Sequence, residues 1–170
     1  IGNHAFNDIF NIKSVTLPNS LSRIGDYAFC YSYWLETITL PDSLTEIGDR
    51  AFSNCTRLKS IVIPEGVEFI GDGAFENCYS METVALPGSL TEIGAEAFDN
   101  CTGLKAIAIP AGVIRIGHGA LSGCLSLEAI EIDKANENYC TVDGILFNKN
   151  KTALVSYPAG KTAESYEIPN

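Results

Sequence analysis

Four of the six cysteines recur at one spacing and are the first candidates for chemistry. Cys55, Cys78, Cys101 and Cys124 lie 23 residues apart, while Cys30 and Cys140 stand outside that register. If the spacing marks a stacked repeat, the four thiols form a linear column, which cannot surround one zinc ion. Neighbours would be close enough for a disulfide, but their parallel side chains disfavour it. We therefore expect free thiols that pack as small apolar groups, with disulfides as the alternative.

No other residues form a recognisable catalytic or ligand-binding pattern. His4 and His118 are far apart in sequence and have no Cys, Asp or Glu at metal-binding spacing. Asp143-Gly144 lacks the ligand run and the closing Glu of a calcium loop. The sequence contains no G-x-S-x-G, H-E-x-x-H or phosphate-loop motif. These observations predict no catalytic residue, no metal site and no cofactor, and an enzyme is the least favoured function.

Composition excludes further classes of function. The net charge of −10 and the pI near 4.5 disfavour binding to nucleic acid and to anionic membranes. No apolar run approaches the ~20 residues of a membrane-spanning helix, so membrane insertion is not expected. A hydrophobic content of 46% is sufficient for a continuous core. The chain begins inside a repeat and without Met, so we expect a fragment or a processed product.

An internal repeat dominates the sequence. The motif Ile-Gly-x-x-Ala-Phe, with Leu in place of Phe in the last copy, recurs every 23 residues from Ile1, Ile24, Ile47, Ile70, Ile93 and Ile116. Apolar residues follow at fixed distances, and a Pro follows in five of the units, at Pro18, Pro41, Pro64, Pro87 and Pro110. This period lies within the ~20–29 residues of leucine-rich repeats. Stacked units would bury columns of identical side chains, so stability should arise between repeats.

The repeat predicts local structure as well. In the segment 35–40, Ile38 and Leu40 should point inward while Thr37 and Thr39 point outward from a strand that Pro41 ends. A second extended segment should cover 44–47, followed by one helical turn that carries Ala51 and Phe52. Two residues after each Phe position the chain should adopt a left-handed conformation. The residues at these positions are Asp8, Tyr31, Asn54, Asn77, Asn100 and Gly123.

The units LTEIGDRAFSNCTRLKSIVIP and LTEIGAEAFDNCTGLKAIAIP resemble the bacterial surface-antigen (BspA-like) leucine-rich repeats. The resemblance implies an α/β, strand-rich, right-handed solenoid in secreted or cell-surface proteins of host-associated microbes, with roles in adhesion to host or microbial proteins. It implies no catalytic residue. Ser32 and Ile9 depart from the pattern where Cys is expected, and Leu121 departs where Phe is expected.

The chain is predicted to divide into six repeats over 1–132 and an atypical unit over 133–170. Asp143-Gly144 is a strong turn signal, and the Asn/Lys tetrad 148–151 joins two apolar alternating runs, so a β-hairpin is predicted here. The sequence 166–169 restores the strand-Pro signature. The atypical unit is therefore either a cap over the last core layer or, as we favour, a spacer before further repeats.

Surface positions repeat with twice the core period. The residue after the Leu position alternates in sign, as Lys13, Glu36, Lys59, Glu82, Lys105 and Glu128. Four residues after the Phe position, bulky Tyr33, Tyr79 and Leu125 alternate with Thr56 and Thr102, and Phe10 is the exception. We interpret the charges as a structural ladder that avoids like-charge contacts, with a zwitterionic binding stripe as the alternative.

Candidate partner-binding residues lie in two places. Tyr31, Tyr33 and Trp34 bring aromatic side chains into a turn where other repeats carry small or polar ones, which is typical of an interface anchor, although local packing is the alternative. Outward strand positions form the second set, namely Thr37, Thr39, Ser60, Val62 and Thr83. That face could bind a flat protein partner or a sugar, or be unused scaffold. The predicted function is a non-catalytic protein-interaction or adhesion module, with a passive structural spacer as the alternative.

Overall fold

The computed structural model describes residues 1–163 and 165–168 and shows a strand-rich solenoid. Each 23-residue repeat forms one rung, with a longer strand on one side and a two-residue strand on another. The longer strands are β1 (Ser14–Thr16), β3 (Thr37–Thr39), β5 (Ser60–Val62), β7 (Thr83–Ala85), β9 (Ala106–Ile109) and β11 (Ala129–Ile132). The short strands are β2 (Arg23–Ile24), β4 (Glu46–Ile47), β6 (Phe69–Ile70), β8 (Glu92–Ile93) and β10 (Arg115–Ile116).

The longer strands pair in parallel as β1–β3, β5–β7 and β9–β11, each in register across one repeat. Within β3, Ile38 is buried while Thr37 and Thr39 are exposed, as the alternating pattern predicts. The ladder is interrupted between β3 and β5 and between β7 and β9. The backbone therefore has the same two-repeat period that the surface residues show in the sequence.

The short strands form one continuous parallel sheet in the order β10-β8-β6-β4-β2. In β4, Ile47 is fully buried and Glu46 is exposed. This confirms the second extended segment of each repeat.

The segment after each Ile-Gly differs from the predicted helical turn, because it consists of consecutive tight turns. The N–H groups of Ala51 and Ser53 donate to carbonyls three residues earlier, whereas those of Arg50, Phe52 and Asn54 donate to the next repeat at 2.7–2.8 Å. A helix would use all these groups within one segment. No residue in ranges 1–163 and 165–168 is helical. Every second N–H group of the segment therefore pairs with the next rung and not along the chain.

Left-handed residues shape these turns. The six positions predicted from sequence all have positive φ, from 56° at Asn100 to 66° at Gly123. A second set, four residues earlier, was not predicted, and it includes His4, Tyr27, Arg50, Gly73, Glu96 and Gly119. Side chains as different as Tyr and Glu occupy this second position, so its conformation leaves no compositional signal.

The core is a set of columns that run along the solenoid. The rings of Phe29, Phe52, Phe75 and Phe98 are fully buried and stack at centroid distances of 5.2–5.4 Å. Leu121 continues the column where Phe is replaced and is also buried. Each large apolar side chain buried in this way contributes roughly 1.5–3 kcal/mol.

The unit after residue 132 is a three-stranded antiparallel sheet of β12 (Tyr139–Val142), β13 (Ile145–Asn148) and β14 (Leu154–Ser156). Asp143 and Gly144 form the two-residue turn between β12 and β13, both with positive φ, as the Asp-Gly signal predicts. The Gly144 carbonyl accepts a hydrogen bond from Ile130 N–H at 2.9 Å, which docks the hairpin on the last long strand.

Buried Asn136 joins this unit to the repeats. Its side-chain amide donates to the carbonyls of Pro110 and Val113, and its Oδ1 accepts from the N–H groups of Asn138 and Tyr139. Residues 165–168 are not in a strand, and Pro169, which completes the predicted strand-Pro signature, lies outside the described residues. The boundary at 132/133 and a return to repeat structure therefore stay predictions.

Replacing Phe75 by Ala should lower the free energy of unfolding by about 3–5 kcal/mol, because it leaves a cavity between two stacked rings. Phe6→Ala is the matched control, since half-buried Phe6 contacts a ring, that of Phe29, on one side of the column. Phe6→Ala should lower the free energy of unfolding, measured by urea denaturation, by less than half as much as Phe75→Ala. Equal losses would contradict stabilisation by stacking between repeats.

Candidate functional site

The three aromatic residues singled out in the sequence lie together on the surface. Tyr31, Tyr33 and Trp34 are exposed by 41%, 37% and 40%. The Tyr33 ring contacts Tyr31 at 6.0 Å and stacks on exposed Phe10 at 5.9 Å between centroids. We name these four residues the aromatic cluster. The rings of Phe10, Tyr33 and Tyr31 contact one another, and all four side chains are partly open to solvent.

Arg57 fixes the orientation of Trp34. Its guanidinium lies 3.6 Å from the centroid of the Trp34 ring, and it also lies 3.8 Å from the Glu36 carboxylate. A cation over an aromatic face contributes ~0.5–1 kcal/mol at an exposed site. Arg57 is one repeat after Trp34, so the shared repeat position was the signal that could have identified this contact. The arrangement holds the Trp34 ring in a fixed orientation at the surface.

The second set of candidate residues borders a shallow groove. Thr37 and Thr39 of β3 and Ser60 and Val62 of β5 line a groove of about 470 Å³ where the strand ladder is interrupted. Thr83 lies on the far side of β5, in register with Ser60, and outside the groove. The groove lining carries the threonine and serine hydroxyls, the exposed Val62 side chain and the carboxylate of Asp42.

The alternating charges share one face, as expected. Backbone hydrogen bonds from Glu36 to Lys13 and from Glu82 to Lys59, both 2.8 Å, place equivalent residues on adjacent rungs. Among the described residues, however, a single pair of the row is within ion-pair distance, Lys105 and Glu82 at 3.3 Å. The intrachain ladder is therefore only partly formed.

The repeated cysteines are buried free thiols with a defined contact. The Sγ atoms of Cys55, Cys78, Cys101 and Cys124 each donate to the carbonyl of the preceding repeat's Phe at 3.2–3.3 Å. Ser32 replaces Cys in the second repeat and makes the same bond to Phe6 at 3.0 Å. The thiols thus pack as small apolar groups and also satisfy a buried carbonyl, which the sequence did not indicate.

The described residues hold neither a metal cluster nor a membrane-spanning helix. Over 1–163 and 165–168, no three or more His, Cys, Asp or Glu side chains are grouped closely enough to hold a metal ion. That same part of the chain contains no helix long and apolar enough to cross a membrane.

Comparison with known proteins now identifies the repeat. The family model of the BspA type leucine rich repeat region matches residues 1–105 and 68–156, with six copies. The chain belongs to the BspA-type leucine-rich repeat family. No curated protein matches the chain.

Solved structures share both fold and sequence. A leucine rich cell surface protein from Faecalibacterium prausnitzii has a TM-score of 0.77 and 32% identity over 100% of this chain and 52% of its own. The pneumococcal vaccine antigen PcpA has a TM-score of 0.84 and 32% identity over 92% of this chain and 39% of its own. A leucine-rich repeat protein from Eubacterium ventriosum has a TM-score of 0.71 and 28% identity, covering 96% and 50%. The chain therefore spans about half the length, or less, of these neighbours.

The repeat thiols should resist modification in the folded protein. Burial raises the pKa of Cys124 to about 12 and the pKa of Cys78 and Cys101 well above the ordinary range. With a thiol reagent at mildly alkaline pH, we expect one fast-reacting thiol per chain, half-buried Cys140, and six after denaturation. Fast labelling of Cys78 in the native state, located by mass spectrometry, would contradict the buried column.

Proposed function

We propose that this BspA-type chain is a non-catalytic protein-interaction module of a secreted or cell-surface protein, and that it serves adhesion. The observation that carries the proposal is the aromatic cluster, in which four exposed aromatic side chains lie on one surface and Arg57 holds the Trp34 ring in place. Membership of a family whose neighbour is a cell surface protein supports the location.

The aromatic cluster suits protein recognition physically. Tyr and Trp bury large areas with few rotatable bonds, and Trp, Tyr and Arg are the residue types that dominate binding energy at interfaces. The groove at Thr37, Thr39, Ser60 and Val62 extends the surface with hydroxyl groups that can exchange water for partner hydrogen bonds. Affinity would come from the rings and orientation from the groove.

The second candidate is a passive spacer that displays other parts of a longer protein. The small outward side chains of β9 and β11, such as Ala106, Ala108 and Ala129, favour it, since they offer little for a partner to contact. A spacer has no use for exposed, supported aromatic rings, so the proposal of a binding module is preferred.

Replacing Tyr33 and Trp34 by Ala together should weaken binding to a protein partner at least about tenfold, because interface aromatics contribute about 2 kcal/mol or more. Partners are first sought by pull-down from extracellular-matrix and microbial surface proteins, and affinities are then measured by biolayer interferometry.

Phe69→Ala is the matched control, because Phe69 is equally exposed, at 37%, but lies in β6 on the sheet of short strands. Thermal unfolding verifies that all variants are folded. Unchanged affinity of the double variant, or an equal loss in the control, would refute the aromatic cluster as the binding surface.

A further inference from the structure

A surface strip with an unusual symmetry runs between the tight turns and the long strands. It consists of three neighbouring columns, which we name the ledge. The first column is Phe10, Tyr33, Thr56, Tyr79, Thr102 and Leu125; the second is Asn11, Trp34, Arg57, Ser80, Gly103 and Ser126; the third is the alternating Lys and Glu row. Backbone bonds from Ser80 to Thr56 and from Gly103 to Tyr79, at 3.2 and 3.1 Å, hold successive rungs in place.

The charged column is complementary to its own reverse. Because the row alternates strictly in sign, a second copy laid antiparallel about an axis between Lys59 and Glu82 opposes every Lys of the row with a Glu. Lys13 then faces Glu128, Glu36 faces Lys105 and Lys59 faces Glu82.

The first column is also complementary to its own reverse, here in the size of its side chains. In the antiparallel arrangement, bulky Tyr33 faces Thr102, bulky Tyr79 faces Thr56, and the two outermost apolar residues, Phe10 and Leu125, face each other. The large side chains are exposed by 37–64%, whereas Thr56 and Thr102 turn their hydroxyls onto the carbonyls of Tyr33 and Tyr79 at 3.3 Å. Projections of one copy therefore meet depressions of the other.

The second column repeats the match. Trp34, the largest residue of the ledge, faces Gly103, and Arg57 faces Ser80. All three columns are thus complementary in one arrangement, about a two-fold axis that passes between the third and fourth rungs. The paired strands β1–β3, β5–β7 and β9–β11 also map onto one another about that axis.

We propose that the ledge binds a second copy of this chain as an antiparallel, two-fold symmetric dimer. The proposal rests on the proposed function of a protein-interaction module and names a partner for its aromatic cluster. Two-fold dimers are the commonest closed assemblies and require a self-complementary patch. A parallel two-fold arrangement would instead place each rung opposite the same rung of the other copy, so that the column on the axis would face itself, with Trp34 against Trp34 or Lys59 against Lys59.

Several charged residues of the third column have no ion-pair partner within the described chain, which supports an intermolecular role for that column. Among the described residues, Lys105 and Glu82 form the one ion pair within it, and Glu36 is paired with Arg57 from the second column. Lys13, Lys59 and Glu128 have no ion-pair partner within the described chain. In the dimer each of them faces an opposite charge.

The dimer is expected to be weak. Six rungs at ~4.8 Å give a ledge of about 24 Å, which is short beside a standard interface of ~800 Å² per partner. Sedimentation equilibrium over a wide range of concentrations should therefore show reversible dimerisation of the pure protein, without any other partner.

A charge-reversal exchange tests the pairing directly. Lys59→Glu alone brings two carboxylates face to face at both symmetry-related contacts, and Glu82→Lys alone brings two ammonium groups face to face there. Each single variant should therefore weaken dimerisation at least about tenfold. An equimolar mixture of the two variants restores opposite charges at one contact and leaves reversed but still opposite charges at the other, so a heterodimer should form. The chain that carries both changes should dimerise like the original.

Lys134→Glu and Glu68→Lys are the controls, because these exposed residues lie off the ledge and change the net charge equally. They should leave dimerisation unchanged, and circular dichroism verifies folding of each variant. A protein that stays monomeric throughout, or variants that fail to recover on mixing, would overturn the dimer. The two proposals can fail separately. If the unmodified protein is monomeric but the Tyr33→Ala/Trp34→Ala variant loses binding to another protein, the dimer is overturned and the proposed function stands.

Discussion

Backbone pairing between successive repeats is the constraint on which this structure depends. In each tight turn, alternate N–H groups have no acceptor in their own repeat and bond to carbonyls of the next one, as Phe52 does to Ala74 at 2.7 Å. The repeats must therefore have one shape and one length. From Gly25 onward, the glycine of each Ile-Gly pair is required by stacking on the preceding repeat, because a Cβ on Gly71 would lie 2.4 Å from the carbonyl carbon of Gly48. Such a distance leaves room for no other residue.

Uniform backbone shape leaves the outside free to vary. The Phe and Cys columns are nearly invariant inside, whereas the second column of the ledge changes from Trp34 to Gly103 with little effect on the rungs. Variation outside is nevertheless not random, because charge and size both alternate with a two-repeat period. The interrupted pairing of the long strands has that period too. The core does not require this two-repeat period, yet the backbone and the surface share it. The period therefore points to contacts with another molecule.

The sequence predicted those elements whose cause is local or periodic. Alternation placed Ile38 inside and Thr37 outside, and Asp143-Gly144 marked its turn, because each signal lies within a few residues. The predicted helical turn is not confirmed, since the competing hydrogen bond of the Phe52 N–H reaches a residue 22 positions away. The candidate residues were grouped by type, but the support of Trp34 by Arg57 depends on stacking between repeats and became visible only in three dimensions.

Net charge and local charge pattern act in opposite directions on association of this chain with itself. Each chain has a net charge of −10, so two copies repel each other when their surfaces come within the Debye length of about 8 Å. At larger separations salt screens most of this repulsion. General attraction therefore cannot bring them together, and contact requires a surface on which opposite charges meet locally. Charged rows chiefly set orientation, while buried aromatic residues supply affinity. The ledge combines both on one strip, so that the arrangement which satisfies its charges is also the one in which Trp34 and Tyr33 meet small residues.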